Sequence, residues 1–228
     1  MIFFDIDDTL LDHDYAEKMG AIDFFQKHRD VLTLEEEEFV TQWNALSKKY
    51  YEKYLAKEIS FQEQRRMRMK EMFAYVNVQL PPGEADMKFE IYLACYQNNW
   101  KAFEDVIPCL KELQGKQLGI ISNGDYEQQI EKLDKMGIRH YFSYVITSSG
   151  VGFSKPDQRI FKKASQKAGW NVEQCYYVGD RLDVDAKGSN NAGMRAIWLN
   201  RKNESSPLDL SEDIKGIQSL NELAELIS

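Results

Sequence analysis

The sequence predicts an α/β fold: a Rossmann-like, doubly wound parallel sheet interrupted by a helical insertion. Three observations carry that expectation. Short β-type runs recur and alternate with helix-like segments. The runs are apolar throughout rather than at every second position, as in parallel strands buried on both faces. Residues 13–101 break the alternation and read as almost wholly helical.

The first run covers residues 2–6. Within the helical stretch, Thr33-Leu-Glu-Glu36 and Ser60-Phe-Gln-Glu63 read as capping boxes. Val40, Trp43, Leu46, Tyr50 and Tyr54 recur at helical spacing and form one apolar stripe. The run "EEEE" (35–38) reads as a solvated face that suits the positive end of a helix. "LPPGE" (80–84) reads as a loop between helices. Pro108 stands at a plausible first helical position of 108–113, leading into the run 118–122. Residues 126–136 form a helix stopped by Gly137, and 156–168 one stopped by Gly169. Runs at 144–147, 176–178 and 196–199 complete the alternation. The expected organisation is a core of 1–12 and 102–228 with a helical module, 13–101, inserted after the first strand.

Composition narrows the class. The 228 residues are 43% hydrophobic and 12% aromatic, enough for a substantial core and against disorder. A formal net charge of −8 disfavours a broad nucleic-acid surface, which needs clustered cations. Cys95, Cys109 and Cys175 are widely spaced without a CxxC pair, so reduced thiols are expected. No basic leader precedes the first run and no apolar stretch nears ~20 residues, so a cytoplasmic protein without a membrane partner is expected. The oligomeric state is not legible.

In an open parallel sheet, ligands bind beyond the carboxyl ends of the strands. The residues there are Asp5-Ile-Asp7-Asp8-Thr9, Ser122-Asn-Gly124, Phe153-Ser-Lys155-Pro-Asp157 and Gly179-Asp180-Arg-Leu-Asp183-Val-Asp185. Carboxylates so close take up protons unless a cation offsets them. Asp5, Asp7 and Asp180 offer hard oxygen ligands with no Cys or His near in sequence, which favours Mg²⁺ accompanied by a substrate phosphate. Asp8 and Asp12 read as turn caps. Ser122 alone is an ordinary strand-end hydroxyl; followed by Asn123 and Gly124 it suggests an anion cradle. Lys155 is either a surface lysine or the fixed positive charge that a phosphate among aspartates needs.

Together these four segments resemble the haloacid-dehalogenase-like (HAD) superfamily of phosphohydrolases across the core. "DIDDT" (5–9) matches its D-x-D-x-T motif, Ser122 its strand-end hydroxyl, "SKPD" its lysine and "GDRLDVD" (179–185) its acidic motif, in family order. Gln158 stands where many members have a second proline. The resemblance implies Asp5 as nucleophile and Asp7 as acid/base, its backbone carbonyl also reaching the metal. Ser122 and the amides near Asp8 and Asn123 would hold the phosphoryl, and Lys155 would bridge it to Asp5. Asp180 would bind Mg²⁺, and Asp185, in preference to Asp183, would orient Lys155 or a metal-bound water. Asp7 argues for phosphate transfer over dehalogenation, and "DID" does not match the D-K-T of transport ATPases.

Asp5 and Ser122 stand 117 positions apart, Ser122 and Lys155 only 33, so a helical cap follows the first motif. That resembles the small-molecule phosphatases: phosphoglycolate phosphatases, pyrimidine 5′-nucleotidases and β-phosphoglucomutase-like mutases. The expected activity is Mg²⁺-dependent hydrolysis of a small phosphate monoester, a nucleoside monophosphate or a phosphorylated acid or sugar. The alternatives are a phosphomutase, a signalling receiver domain, which is about half this length, and an idle phosphate-binding protein. Lys48, Lys49, Arg65, Arg66, Arg68 and the aromatics 50–54 read as solvated faces and packing in preference to substrate contacts, and His13 as a surface histidine in preference to one lining the entrance.

Overall fold

The computed structural model describes residues 1–205 and 211–227. The chain runs β1 (Ile2–Phe4), α1 (His13–Lys27), α2 (Glu36–Leu55), α3 (Phe61–Ala74) and α4 (Pro82–Asn98). It continues α5 (Val106–Glu112), β2 (Leu118–Ser122), α6 (Tyr126–Lys135), β3 (Tyr144–Thr147), α7 (Ser148–Val151) and α8 (Gln158–Ala168). Last come β4 (Tyr176–Gly179), α9 (Lys187–Ala192), β5 (Arg195–Leu199), β6 (Lys215–Ile217) and α10 (Leu223–Leu226). Two compact units result: Met1–His13 with Trp100–Ser228, and Asp14–Asn99. Residues 206–210 and Ser228 lie outside the described residues.

The first unit holds a six-stranded sheet of order β3-β2-β1-β4-β5-β6 in which every pairing is parallel. β1 is the pivot. Successive strands run outward from it through β2 to β3 on one side and through β4 to β6 on the other, so the order reverses beside β1. The continuous apolar runs follow from burial: every residue of β1 and β2 is inaccessible. On one face Phe3, Ile121, Ile146 and Tyr177 pack with Ile160, Phe161 and Ala164 of α8. Elsewhere Ala196 and Trp198 of β5 pack with Ala186 and Ile214.

The structure corrects several local expectations. β1 ends at Phe4, because Ile6 already belongs to a tight turn in which its carbonyl accepts from Leu10 and Leu11. Pro108 is the third residue of α5 rather than the first; the whole first turn of a helix tolerates a missing N–H. α8 starts at Gln158, with the Asp157 side chain capping Arg159 N–H, so Pro156 lies before it. β6 has no counterpart among the expected runs, since its three residues include Gly216 and only Ile217 is buried.

In the second unit, α1 to α4 pack around an aromatic cluster. Phe24, Phe39 and Trp43 stack, and Trp43 meets Tyr92 with ring centroids 4.4 Å apart. Phe39 and Trp43, then Leu46 and Tyr50, form the buried stripe, while Val40 is only half-buried. The Ser60 capping box is present, with Glu63 N–H donating to Ser60 Oγ and Ser60 N–H to Glu63 Oε2. The box expected at Thr33 is absent: α2 begins at Glu36 behind Glu35, which makes no side-chain cap. Pro82 is the first residue of α4, so the helix takes in part of "LPPGE". Gly20 sits where α1 touches α4: a Cβ there would lie 2.6 Å from the Tyr96 Cα. We expect Gly20→Ala to force the two backbones apart and destabilise this unit by ~1–3 kcal/mol, read as a lowered urea midpoint; an unchanged midpoint would contradict the close approach.

Candidate active site

The reversal of strand order beside β1 brings four segments to one edge of the sheet. Asp5 follows β1, its N–H donating to Val178 O on β4 at 2.9 Å. The chain then turns sharply. Asp8 takes a left-handed conformation (φ 55), and its N–H closes on Leu11 O at 2.9 Å. Leu11 bridges Ala102, and Asp12 N–H donates to Lys101 O, so the outgoing and returning chains are tied beside the turn. Asp8 is thus a turn-former by its backbone.

Lys155 stands at the centre. It is almost wholly buried, with Nζ 2.9 Å from Asp5 Oδ1 and 2.7 Å from Asp185 Oδ1. It also donates to the Tyr177 hydroxyl at 2.8 Å, and that hydroxyl donates to Ile121 O. Asp185 has partners on both oxygens: Oδ1 meets Lys155 and Tyr177, and Oδ2 accepts from Arg181 N–H at 3.0 Å. Gly179 makes this possible, since a Cβ there would sit 2.5 Å from Asp185 Cγ. Between Asp180 and Asp185 runs one wide, π-type turn, Leu182–Ala186. It turns Asp183 outward, 82% exposed and paired with Lys187 at 2.8 Å, and carries Asp185 inward. Of the two aspartates, Asp185 is therefore the one beside Lys155.

Asp5 differs from Asp185. Its Oδ1 is buried at ion-pair distance from Lys155, yet not aligned for a hydrogen bond with any protein group. Burial, with Asp185 and Asp7 nearby, pushes its pKa up to about 6 against the pull of Lys155. Asp180, which accepts from Thr9 Oγ1 at 3.2 Å, is pushed up to about 8 by burial and by Asp5 and Asp185. Oxygens of Asp5, Asp180 and Asp185 all lie within 4.8 Å of one another. Three carboxylates around one lysine leave an excess of negative charge, and an under-coordinated Asp5 oxygen faces it. An all-oxygen set of this kind fits a hard divalent cation.

The Asp7 side chain is not part of that cluster, contrary to a reading in which its carboxylate joins the other ligands. Its Oδ1 is 2.6 Å from Lys132 Nζ, and Oδ2 accepts from Gln129 Nε2 at 3.4 Å. His13 Nδ1 lies 3.9 Å from Asp7 Oδ1. Burial would raise the Asp7 pKa, but Lys132 and His13 outweigh it and hold the carboxyl below its ordinary value.

Ser122 ends β2 with its Oγ accepting from Gln129 Nε2 at 3.2 Å. The Asn123 side chain is occupied by the Lys155 backbone, accepting from its N–H at 2.8 Å and donating to its carbonyl at 3.1 Å. It staples the Ser122 and Lys155 loops together, so its side chain is not free to bind an anion. Gly124 (φ 132) leaves room for Gln129, whose Nε2 lies 2.9 Å from where a Cβ would be.

Lys132, Gln129 and Tyr177 escaped the sequence reading. The available signal was that Gln129, Lys132 and Leu133 share one face of α6, so two polar residues lie on the side that should be apolar. In the helical unit, three of the cations named from the sequence are engaged with neighbouring side chains. Lys49 pairs with Glu71, Arg66 forks onto Asp86, and Arg68 lies buried over Trp43.

Known proteins share both the sequence and the fold. A glyceraldehyde 3-phosphate phosphatase of Methanothermobacter thermautotrophicus is 32% identical over 99% of this chain and 98% of its own length. The pyrimidine 5′-nucleotidase YjjG of Escherichia coli is 27% identical over 99% and 96%. Among solved structures, the magnesium-bound HAD-hydrolase YfnB of Bacillus subtilis superposes with a TM-score of 0.82 over 100% and 97% of the chains, at 20% identity, a likeness of fold. The protein is an enzyme of the phosphoric monoester hydrolase class. It belongs to the haloacid dehalogenase-like hydrolase family, whose model matches residues 1–193.

The raised pKa values of Asp5 and Asp180 make stability depend on pH. The folded chain holds these protons more tightly than the unfolded chain, where carboxylates titrate near ~4. That contribution is present at low pH and lost as pH rises through about 6 and about 8. Cation-free protein should therefore melt at a lower temperature near about pH 8 than near about pH 5. An added divalent cation should raise the midpoint most at the upper end. Calorimetry showing equal stabilisation at both ends would contradict a cation held by these carboxylates.

Proposed function

We propose that the protein is a Mg²⁺-dependent phosphatase that hydrolyses a small-molecule phosphate monoester through an aspartyl-phosphate on Asp5. The observation that carries this reading is the division between two carboxylates on one turn. Asp5 lies against Lys155 among the acids, and Asp7 lies against Lys132. Carboxylates in such different surroundings suit different tasks.

In the first step, an Asp5 oxygen forms a bond to phosphorus while the ester P–O bond breaks. The leaving oxygen takes a proton from Asp7 and departs as the alcohol. Asp7 must be protonated for this, and a bound phosphate's negative charge opposes the pull of Lys132 and favours that state. In the second step, water forms a bond to phosphorus and gives its proton to Asp7, now ionised. The bond to Asp5 breaks with its electron pair returning to the carboxylate, and inorganic phosphate is released. Ser122 and the backbone near Asp8 and Asn123 cradle the phosphoryl oxygens, and Lys155 adds fixed positive charge. Asp5 and Asp180 would hold Mg²⁺, with the Asp7 backbone carbonyl completing the protein's share. Bound Mg²⁺ supplies neutralisation of the phosphoryl charge. Asp185 acts through Lys155.

The relatives' names, a glyceraldehyde 3-phosphate phosphatase and pyrimidine 5′-nucleotidases, support a small phosphorylated metabolite as substrate. We assign the leaving group to a short phosphorylated sugar or acid, or to a nucleoside. A cytoplasmic setting suits three buried, unpaired cysteines, and no described helix is long and apolar enough to cross a membrane. Asp5→Asn should lower turnover of p-nitrophenyl phosphate by at least ~10³-fold, and chelation of the metal should do the same. Normal Mg²⁺-dependent turnover by this variant would exclude Asp5 as nucleophile. A panel of metabolite monophosphates, scored by phosphate release, identifies the substrate.

A further inference from the structure

We propose that Lys132, with Gln129 one turn before it on α6, is the positioning residue for the acid/base Asp7. The inference rests on the role given to Asp7 above and extends it to residues outside the four sequence motifs.

The argument starts from burial. Lys132 is 3% exposed and Gln129 1% exposed, so a cation and an amide occupy the interior face of a helix where Leu133 is their apolar neighbour. A buried lysine is costly without a partner, and Lys132 finds one at 2.6 Å in Asp7 Oδ1. Its ammonium also lies 5.8 Å from the Trp100 ring centroid. Gln129 Nε2 reaches three acceptors: Asn123 O at 2.9 Å, Ser122 Oγ at 3.2 Å and Asp7 Oδ2 at 3.4 Å. One amide thus ties the strand-end hydroxyl to the second carboxylate. Gln129 Oε1 is buried with no protein partner, so this amide still has an acceptor to offer a water or a ligand donor.

The consequence is geometric. Asp7 stands two residues after Asp5, and three side chains meet its carboxylate: Lys132 at 2.6 Å and Gln129 at 3.4 Å from α6, and His13 at 3.9 Å. Lys132 and Gln129 grip both of its oxygens from α6. They hold it apart from Asp5, Asp180 and Asp185 and beside Ser122, where a phosphoryl group would be cradled. Lys155 orders the nucleophile side of the site and Lys132 the acid/base side.

The step most dependent on this grip is hydrolysis of the aspartyl-phosphate, in which Asp7 must be oriented to take the proton of the attacking water. With p-nitrophenyl phosphate the first step needs little help from an acid, because the leaving group is already good. Lys132→Met should therefore lower kcat by ~10–100-fold with KM little changed. It should produce a burst of p-nitrophenol in stopped flow, and a phosphorylated enzyme about 80 Da heavier after acid quench. Asp7→Asn should accumulate the same species. In the Asp7→Asn background, Lys132→Met should add nothing further, since it acts through Asp7. Lys132→Arg should recover most of the turnover. A thermal melt accompanies each variant, and Lys132→Gln replaces Lys132→Met if the latter fails to fold.

The outcomes separate the two claims. If Asp7→Asn accumulates phosphoenzyme but Lys132→Met turns over normally, or slows without accumulating it, positioning by Lys132 is wrong and Asp7 keeps its role. Full additivity of the two substitutions overturns it equally. If Asp7→Asn itself leaves turnover intact, the acid/base reading falls and this inference falls with it.

Discussion

Lys155 is the interaction on which the site depends. Its ammonium is buried among Asp5, Asp185 and the Tyr177 hydroxyl, and it joins the chain after β1 to β4 and the turn that follows β4. Burial would lower its pKa, but Asp185 and Asp5 outweigh burial and raise it, so the lysine stays charged. The pairing is mutual. Asp185 is wholly buried with its Oδ1 against Lys155 and Tyr177, and Tyr177 is driven far above its ordinary pKa by burial and by Asp185 and Asp5, remaining a neutral hydroxyl. Removing one member of such a buried network strands the others, at a cost of roughly 3–5 kcal/mol.

Backbone geometry is recruited to serve that network. Gly179 has no side chain because Asp185 packs against it, and Gly124 has none because Gln129 does. Asn123 grips the Lys155 backbone by both its carbonyl oxygen and its amide, which ties the loop after β2 to the loop before α8. On the other side of β1, Arg201 forks onto Asp105 and donates to Thr9 O, while Thr9 donates to Asp180. The turn after β1 is therefore held at several points, which keeps mutually repelling aspartates in fixed places.

Much of this was legible in sequence, and the misses have physical causes. A strand buried along its whole length leaves a continuous, mostly apolar run, so β2 was found to the residue; β3, an edge strand half-buried at Tyr144 and Val145, was found from its β-type run alone. β6 was not, because a three-residue edge strand with one buried side chain has no pattern to show. The Thr33 box failed because its spacing fits only if the helix begins at that point, whereas α2 begins later. Asp185 could be preferred to Asp183 by spacing, but the reason, a wide turn that sends one inward and the other to Lys187, is three-dimensional. Lys132 and Gln129 carry no motif. They look like ordinary helix-surface residues until α6 is seen to turn that face inward.

By itself the sequence determined the class of fold and the order in which acids, hydroxyl and lysine follow the strands. These are properties of periodicity and of order along the chain, which local patterning records. Only the tertiary structure decided how the charges are partnered: Asp5 and Asp185 with Lys155, Asp7 with Lys132, Asp180 with a threonine hydroxyl. The partners lie 122 to 171 positions apart in the cases of Gln129 with Asp7, Lys132 with Asp7 and Thr9 with Asp180. Electrostatic pairing depends on distance through space, which no local pattern along the chain encodes.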